Sequence, residues 1–207
     1  GAHGEHVAGS IGGSGALHPR LRGMAPESDL IIHKTSLITY YTNDYVNNYG
    51  MVLTNNSYGT TSNCEINGTY NYSSQSLDQQ MLDYPELLHV YAAGNNGWET
   101  CGDFPKSYHT VLRYYQAAKN VLTVGNAKDN RTINPNSSRG PVDDGRIKPE
   151  ICGVGTKVTS TGRDYNYWRA TGTSMAAPAV VGTMALMYER YRELNGGSIA
   201  PTALLKS

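Results

Sequence analysis

A chain of 207 residues with 39% hydrophobic content is long enough for one domain with a sizeable core. Its 17 basic and 17 acidic side chains cancel, and charged residues make up only 16% of the chain, so neither a nucleic acid nor an anionic membrane surface has electrostatic support as a partner. No run approaches the roughly 18 to 20 apolar residues of a membrane span, and three cysteines without a CxxC pair argue against both a disulfide scaffold and a structural zinc site. With 16 tyrosines against one phenylalanine, the surface is polar through hydroxyl and amide groups more than through charge, which suits a secreted protein.

In chain order, residues 3–11 pattern as a helix that carries His3, Glu5 and His6. Their spacing is neither H-E-x-x-H nor H-x-x-E-H, so a zinc-protease geometry fails and His6 reads as a packed histidine. The glycine-rich run 9–15 is no phosphate loop, because no Gly-Lys-Ser/Thr follows it and no strand precedes it. Short apolar or β-branched runs at 30–32, 51–53, 87–91, 121–124 and, more weakly, 157–159 predict strands. Helical patterns occupy part of 37–47, then 76–83 and 174–194, while 12–15, 54–71, 94–102 and 129–145 read as loops. Strands spaced by helices predict an α/β domain with a parallel sheet. The helix at 174–194 has Pro178 in its first turns and small or apolar residues after it, so it is expected to be central and buried.

Ser174 precedes that helix and follows Gly172-Thr173. An isolated serine there is most often an N-cap, yet a hydroxyl exposed at a helix N-terminus is also well placed as a nucleophile, because the helix dipole favours developing negative charge. Asn95 lies in Gly94-Asn95-Asn96-Gly97, which by itself is a turn with positive φ angles. The histidines 18, 33, 89 and 109 stand alone in polar stretches or beside strands and read as packing or surface residues.

Larger strings change the weight of these residues. Gly172-Thr173-Ser174-Met175-Ala176-Ala177-Pro178 and His3-Gly4-Glu5-His6-Val7-Ala8-Gly9 resemble the serine and histidine segments of subtilisin-like (subtilase) serine proteases, and Tyr91-Ala92-Ala93-Gly94-Asn95-Asn96-Gly97 resembles their oxyanion segment. Gly23-Met24-Ala25-Pro26, Asn55-Asn56-Ser57-Tyr58-Gly59 and Ser137-Ser138-Arg139-Gly140-Pro141 extend the similarity over nearly the whole chain. The departures are Glu5 in place of the usual threonine, Val154 in place of the usual proline, insertions around Cys64 and Cys101, and a short loop after the histidine helix. That loop lacks the asparagine-rich segment that binds calcium in many subtilisins, so no metal site is expected.

The resemblance implies a doubly wound, mostly parallel α/β sheet with helices on both faces and a site at the carboxyl ends of the strands. It implies serine endopeptidase chemistry without a cofactor, with Ser174 as nucleophile, His3 as general base, and Asn95 with the Ser174 amide as oxyanion donors. Ser57, Tyr58 and Gly59 form one expected wall of the cleft for a peptide or protein substrate, and Ala92, Ala93 and Gly94 the other. No acidic cluster lies on these walls, which argues against basic specificity and favours an apolar or aromatic preference. The family's aspartate precedes its histidine, and this chain begins two residues before His3. Residues 1–207 are therefore expected to form one peptidase domain, incomplete at the N-terminus and at the C-terminus, with the aspartate on an upstream segment. The competing expectation is an inactive fragment or pseudoprotease that binds peptides. A secreted or extracytoplasmic setting fits both. Cys64 and Cys101 lie in loops that follow parallel strands, so they are expected to form a disulfide, with Cys152 left as a buried thiol.

Overall fold

The computed structural model describes residues 1–34, 37–164 and 166–207, with the side chains of residues 37 and 38 outside that description. Helices α1 (Ala2–Gly12), α2 (Leu37–Tyr40) and α3 (Thr42–Tyr49) precede strand β1 (Leu53–Asn56), helix α4 (Tyr72–Asp83), and strands β2 (Leu88–Ala92), β3 (Leu122–Ala127) and β4 (Ile151–Val154). A hairpin of β5 (Val158–Thr161) and β6 (Tyr167–Ala170) leads into α5 (Thr173–Leu194) and a short α6 (Thr202–Lys206).

Strands β1 to β4 form one parallel sheet in sequence order, with Leu53 opposite Leu88, Val90 opposite Leu122 and Val124 opposite Ile151. Every residue of β2 and β3 is buried, as expected of central strands covered on both faces. Helix α5 packs across all four strands, α1 packs on α5 and β5, and α4 packs on β2. Val90, Val124, Ala176, Ala177, Val180 and Leu77 belong to one contiguous core. Among the described residues no helix is long and apolar enough to cross a membrane.

Local chemistry sets the element boundaries. Helix α4 starts at Tyr72, before the expected residue 76, because Asn71 Oδ1 accepts from the amides of Ser73 and Ser74 (2.9 and 3.3 Å) while Ser74 Oγ accepts from the Asn71 amide (3.1 Å). Pro178 has no N–H to give the carbonyl of Ser174 one turn earlier, and that carbonyl accepts instead from Ser57 Oγ at 2.9 Å. The proline thus frees an acceptor that ties α5 to the segment after β1.

Three expectations are corrected. Residues 30–32 form no strand, and Leu30, Ile31 and Ile32 are exposed, because among the described residues no neighbouring strand pairs with them. Strand β1 runs to Asn56, into the stretch expected to be loop, because each of its residues is in register with β2. Cys152 is exposed, not buried, because β4 is an edge strand.

A buried polar chain crosses β1 and β2. Asn56 Nδ2 donates to Thr54 Oγ1 (2.8 Å), leaving the Thr54 hydroxyl to donate to His89 Nδ1 (2.8 Å), so His89 carries its proton on Nε2 and donates it to Gln80 Oε1 (3.1 Å). Full burial lowers the His89 pKa from 6.5 to about 4. The unfolded chain therefore binds a proton between these values that the folded chain refuses, so stability is complete above pH 6.5 and falls as pH drops towards 4. At 1.36 kcal/mol per pKa unit the loss is about 3 kcal/mol. Urea titrations at pH 7 and pH 4.5 should show this loss in the wild type, and His89→Gln should lose less stability over the same interval.

Candidate active site

A cavity of about 240 Å³ opens where the carboxyl ends of β1 and β2 meet the amino end of α5, lined among others by Tyr58, Gly59, Ala92, Gly94, Asn95 and Ser174. Parallel strands all deliver their following loops to this edge of the sheet, and α5 brings its free amides to the same place. A larger apolar recess of about 410 Å³, between Ile133, Arg139, Pro149 and Cys152, contains none of His3, Asn95 and Ser174.

The helix end is held by the loop after β2. Asn95 Oδ1 accepts from the Thr173 amide (2.8 Å) and from the Thr173 hydroxyl (3.2 Å), while Thr173 Oγ1 accepts from the Gly94 amide (3.2 Å). Asn95 so replaces a side-chain cap from Gly172, which has none to offer. With Oδ1 committed, the Asn95 Nδ2 group has no acceptor among the described residues. The amides of Met175 and Ala176 donate to the Gly172 carbonyl (3.0 and 3.3 Å), leaving the Ser174 amide as the open donor of the first turn. Two donors thus lie unused beside the Ser174 hydroxyl, at the positive end of a 22-residue helix.

Ser174 is half-buried, and its Oγ donates to the Ser57 carbonyl at 3.3 Å. His3 stands exposed in the first turn of α1, is not among the residues that line the cavity, and its ring makes no hydrogen bond among the described residues. Partial withdrawal from water lowers the His3 pKa below the ordinary 6.5, with the amino-terminal charge acting in the same direction. No carboxylate contributes to that shift. His6 is fully buried, its Nε2–H donating to the Val158 carbonyl (3.1 Å) and its ring lying edge-on to Trp168, so it is a packing residue of the α1–β5 contact.

Of the expected cleft walls, Tyr58, Gly59, Ala92 and Gly94 line the cavity. Ser57 instead meets Ser174 through its hydroxyl and carbonyl, and Ala93 spends both backbone groups inside the fold, on Val124 and Leu112. Leu112 and Thr173 also line the cavity. Sequence reasoning missed Leu112, because a leucine in a coil segment gives no pattern to read.

Cys64 and Cys101 form a disulfide with Cα atoms 5.0 Å apart. With Glu99 they are the one group of potential metal ligands among the described residues. Sulfurs joined to each other cannot serve as thiolate ligands, and Glu99 accepts from Ser62 Oγ and from Asn96 Nδ2. This arrangement braces a loop and holds no metal.

The model of the subtilase family matches residues 1–204. Among curated proteins, the chain is 38% identical over 117 residues to the subtilisin-like protease PopC of Myxococcus xanthus, an alignment covering 54% of this chain and 22% of that protein. It is 30% identical over 207 aligned residues to a thermostable alkaline protease of Halalkalibacterium halodurans, covering 95% of this chain and 50% of that protease. The chain spans half or less of the length of these relatives. Among solved structures, the CspB protease of Clostridium perfringens superposes with a TM-score of 0.78 at 16% identity over 99% of this chain and 73% of that one. The prenylagaramide maturation protease PagA gives 0.72 at 21% identity, over 98% and 69%. At these identities the structures establish the shared fold.

The Cys64–Cys101 bridge links the loop after β1 to the loop after β2, on either side of the cavity. Its ends are 37 residues apart in sequence, for which the chain-entropy relation gives about 4 kcal/mol. Replacing both cysteines by serine, or reducing the bridge, should lower the free energy of unfolding by about 3 to 4 kcal/mol in denaturant titrations.

Proposed function

The chain belongs to the subtilase family, and on that premise we propose that it is a serine endopeptidase whose nucleophile is Ser174. One observation carries the reading: among the described residues the Asn95 Nδ2 group and the Ser174 amide have no acceptor, and Asn95 and Ser174 line one cavity.

Ser174 Oγ attacks the scissile carbonyl carbon and its proton passes to His3, which the lowered pKa keeps neutral and ready to accept at neutral pH. The carbonyl oxygen becomes an oxyanion that the two open donors receive. His3 then delivers its proton to the leaving amine, an acyl ester remains on Ser174, and water attacks it with His3 again as the base. In the free protein the hydroxyl rests on the Ser57 carbonyl, and binding of substrate carbonyl and His3 must displace that contact, since catalytic hydrogen bonds commonly tighten only in the bound complex. Tyr58 and Gly59 on one side and Ala92 and Gly94 on the other present the walls along which an extended peptide lies.

The carboxylate that orients His3 is assigned to an upstream segment outside these 207 residues. Two observations support this assignment: no carboxylate acts on His3, and β1, an edge strand among the described residues, leaves its outer backbone groups without a strand partner. Residues 1–207 are then the greater part of a single peptidase domain. The disulfide fits a secreted or extracytoplasmic setting, where such bonds persist.

In the full-length protein, a fluorophosphonate probe should label Ser174, with peptide mapping locating the adduct and Ser174→Ala abolishing it. Undiminished labelling of that variant would reject the nucleophile, and absence of labelling in the wild type would leave a peptide-binding cleft without hydrolysis. Asn95→Ala should lower kcat by about 10² to 10³ with KM little changed, because the oxyanion exists only beyond the ground state.

A further inference from the structure

We propose that the apolar recess beside the edge strand β4 is a second binding site, that it takes a small apolar monocarboxylate, and that Arg139 donates to the carboxylate. The recess holds about 410 Å³, within the roughly 300 to 1,000 Å³ of ordinary small-molecule sites. It shares no lining residue with the cavity at Ser174, so its occupancy does not depend on what Ser174 does. Ile133, Ile147, Pro141, Pro149 and Cys152 supply most of its apolar wall. The thiol adds no charge there: partial withdrawal from water pushes its pKa above the ordinary 9.0, and the Arg139 charge, acting the other way, does not reverse the shift.

Arg139 supplies the charge. Its guanidinium makes no hydrogen bond and no ion pair among the described residues, and its Nε is shut off from solvent without an acceptor. The ring of Tyr108, its centroid 5.8 Å from the guanidinium carbon, steadies it. The acidic side chains of the neighbouring segments are engaged elsewhere: Glu150 with Lys148, Asp144 with Arg146 (2.9 Å) and Asp143 with His109 (3.6 Å). Lys148, the other cation of the lining, is neutralised by Glu150 and donates to the Val121 carbonyl (3.3 Å) and Thr123 Oγ1 (3.1 Å). What remains is an apolar recess with one unmatched positive charge in its wall. A dehydrated donor without an acceptor is costly, and a carboxylate removes the deficit through two parallel charge-assisted hydrogen bonds to the guanidinium. A dianion such as phosphate would bring a second charge that nothing in the lining offsets, while a neutral apolar molecule would leave Arg139 unpaired. One ring or a short alkyl chain on the carboxylate covers the isoleucines, of which Ile147 is 85% exposed.

Cys152 reports on the site, because it is the free cysteine of these residues and stands in the recess wall. In the full-length protein, saturating phenylacetate should slow alkylation of Cys152 by iodoacetamide about fivefold or more, with peptide mapping locating the adduct. Phenylethanol, which lacks the charge, should need about tenfold more ligand for half-protection, and inorganic phosphate should not protect. Arg139→Gln should raise the half-protecting concentration of phenylacetate about tenfold and leave that of phenylethanol unchanged. Ile147→Asp, at an exposed position, should weaken phenylacetate more than phenylethanol through repulsion, and it serves as the test should the Arg139 variant fail to fold. Absence of protection by phenylacetate would overturn the proposal, as would equal protection by the acid and the alcohol or an unchanged affinity for the acid in a folded Arg139 variant. Protection by phosphate at similar concentrations would equally overturn it, in favour of a general anion site.

Discussion

Backbone contact between the end of β4 and the first turn of α5 is the constraint on which the site depends. The Gly172 amide donates to the Gly155 carbonyl at 2.9 Å, and the Gly155 amide donates to Ala127 at the end of β3 (3.1 Å). A side-chain carbon on Gly155 would lie 2.4 Å from the Gly172 carbonyl oxygen and 2.8 Å from the Ala176 amide, so no larger residue allows the approach. This contact sets the height of the helix against the sheet. At that height the Thr173 amide meets Asn95 and the Ser174 carbonyl meets Ser57. A buried helix locked at its amino end is a rigid mount for Ser174, the nucleophile we propose.

Polar groups inside the sheet serve the same end. Tyr58 donates its hydroxyl to Asn56 Oδ1 (2.9 Å), and Asn56 also bonds the Val90 carbonyl and Thr54, so the cleft wall is pinned to the two strands that precede it. Because Asn56, Thr54 and His89 lie in the interior, each must be paired to be tolerated there, and the chain of bonds they form specifies one register of β1 against β2. The side chains that pair the strands thus also hold Tyr58 at the cavity.

Much of this fold is legible in the sequence. Runs of apolar residues at β2 and β3 announce central strands because they are buried on both faces, and the small residues of α5 announce a helix that packs closely. Residues 30–32 carry the same signal as those strands and yet remain unpaired, because a strand exists only where a neighbour accepts its hydrogen bonds. Cys152 reads as a core residue by its company, but β4 lies at the sheet edge and exposes it. The disulfide between Cys64 and Cys101 was predictable because both loops leave parallel strands in the same direction.

By itself the sequence determined the α/β class and the residue strings around His3, Asn95 and Ser174, since these are local: a helix period, a glycine-bounded turn, a serine before a helix. Only the tertiary structure decided which amides of that turn and helix are left free, because a donor is open only when every nearby acceptor is accounted for. It alone brought Leu112 against both Gly59 and Gly94, which lie far from it along the chain. The shape of a pocket is set by side chains that meet from distant segments, and packing at near-crystalline density is a property that no periodicity in the chain encodes.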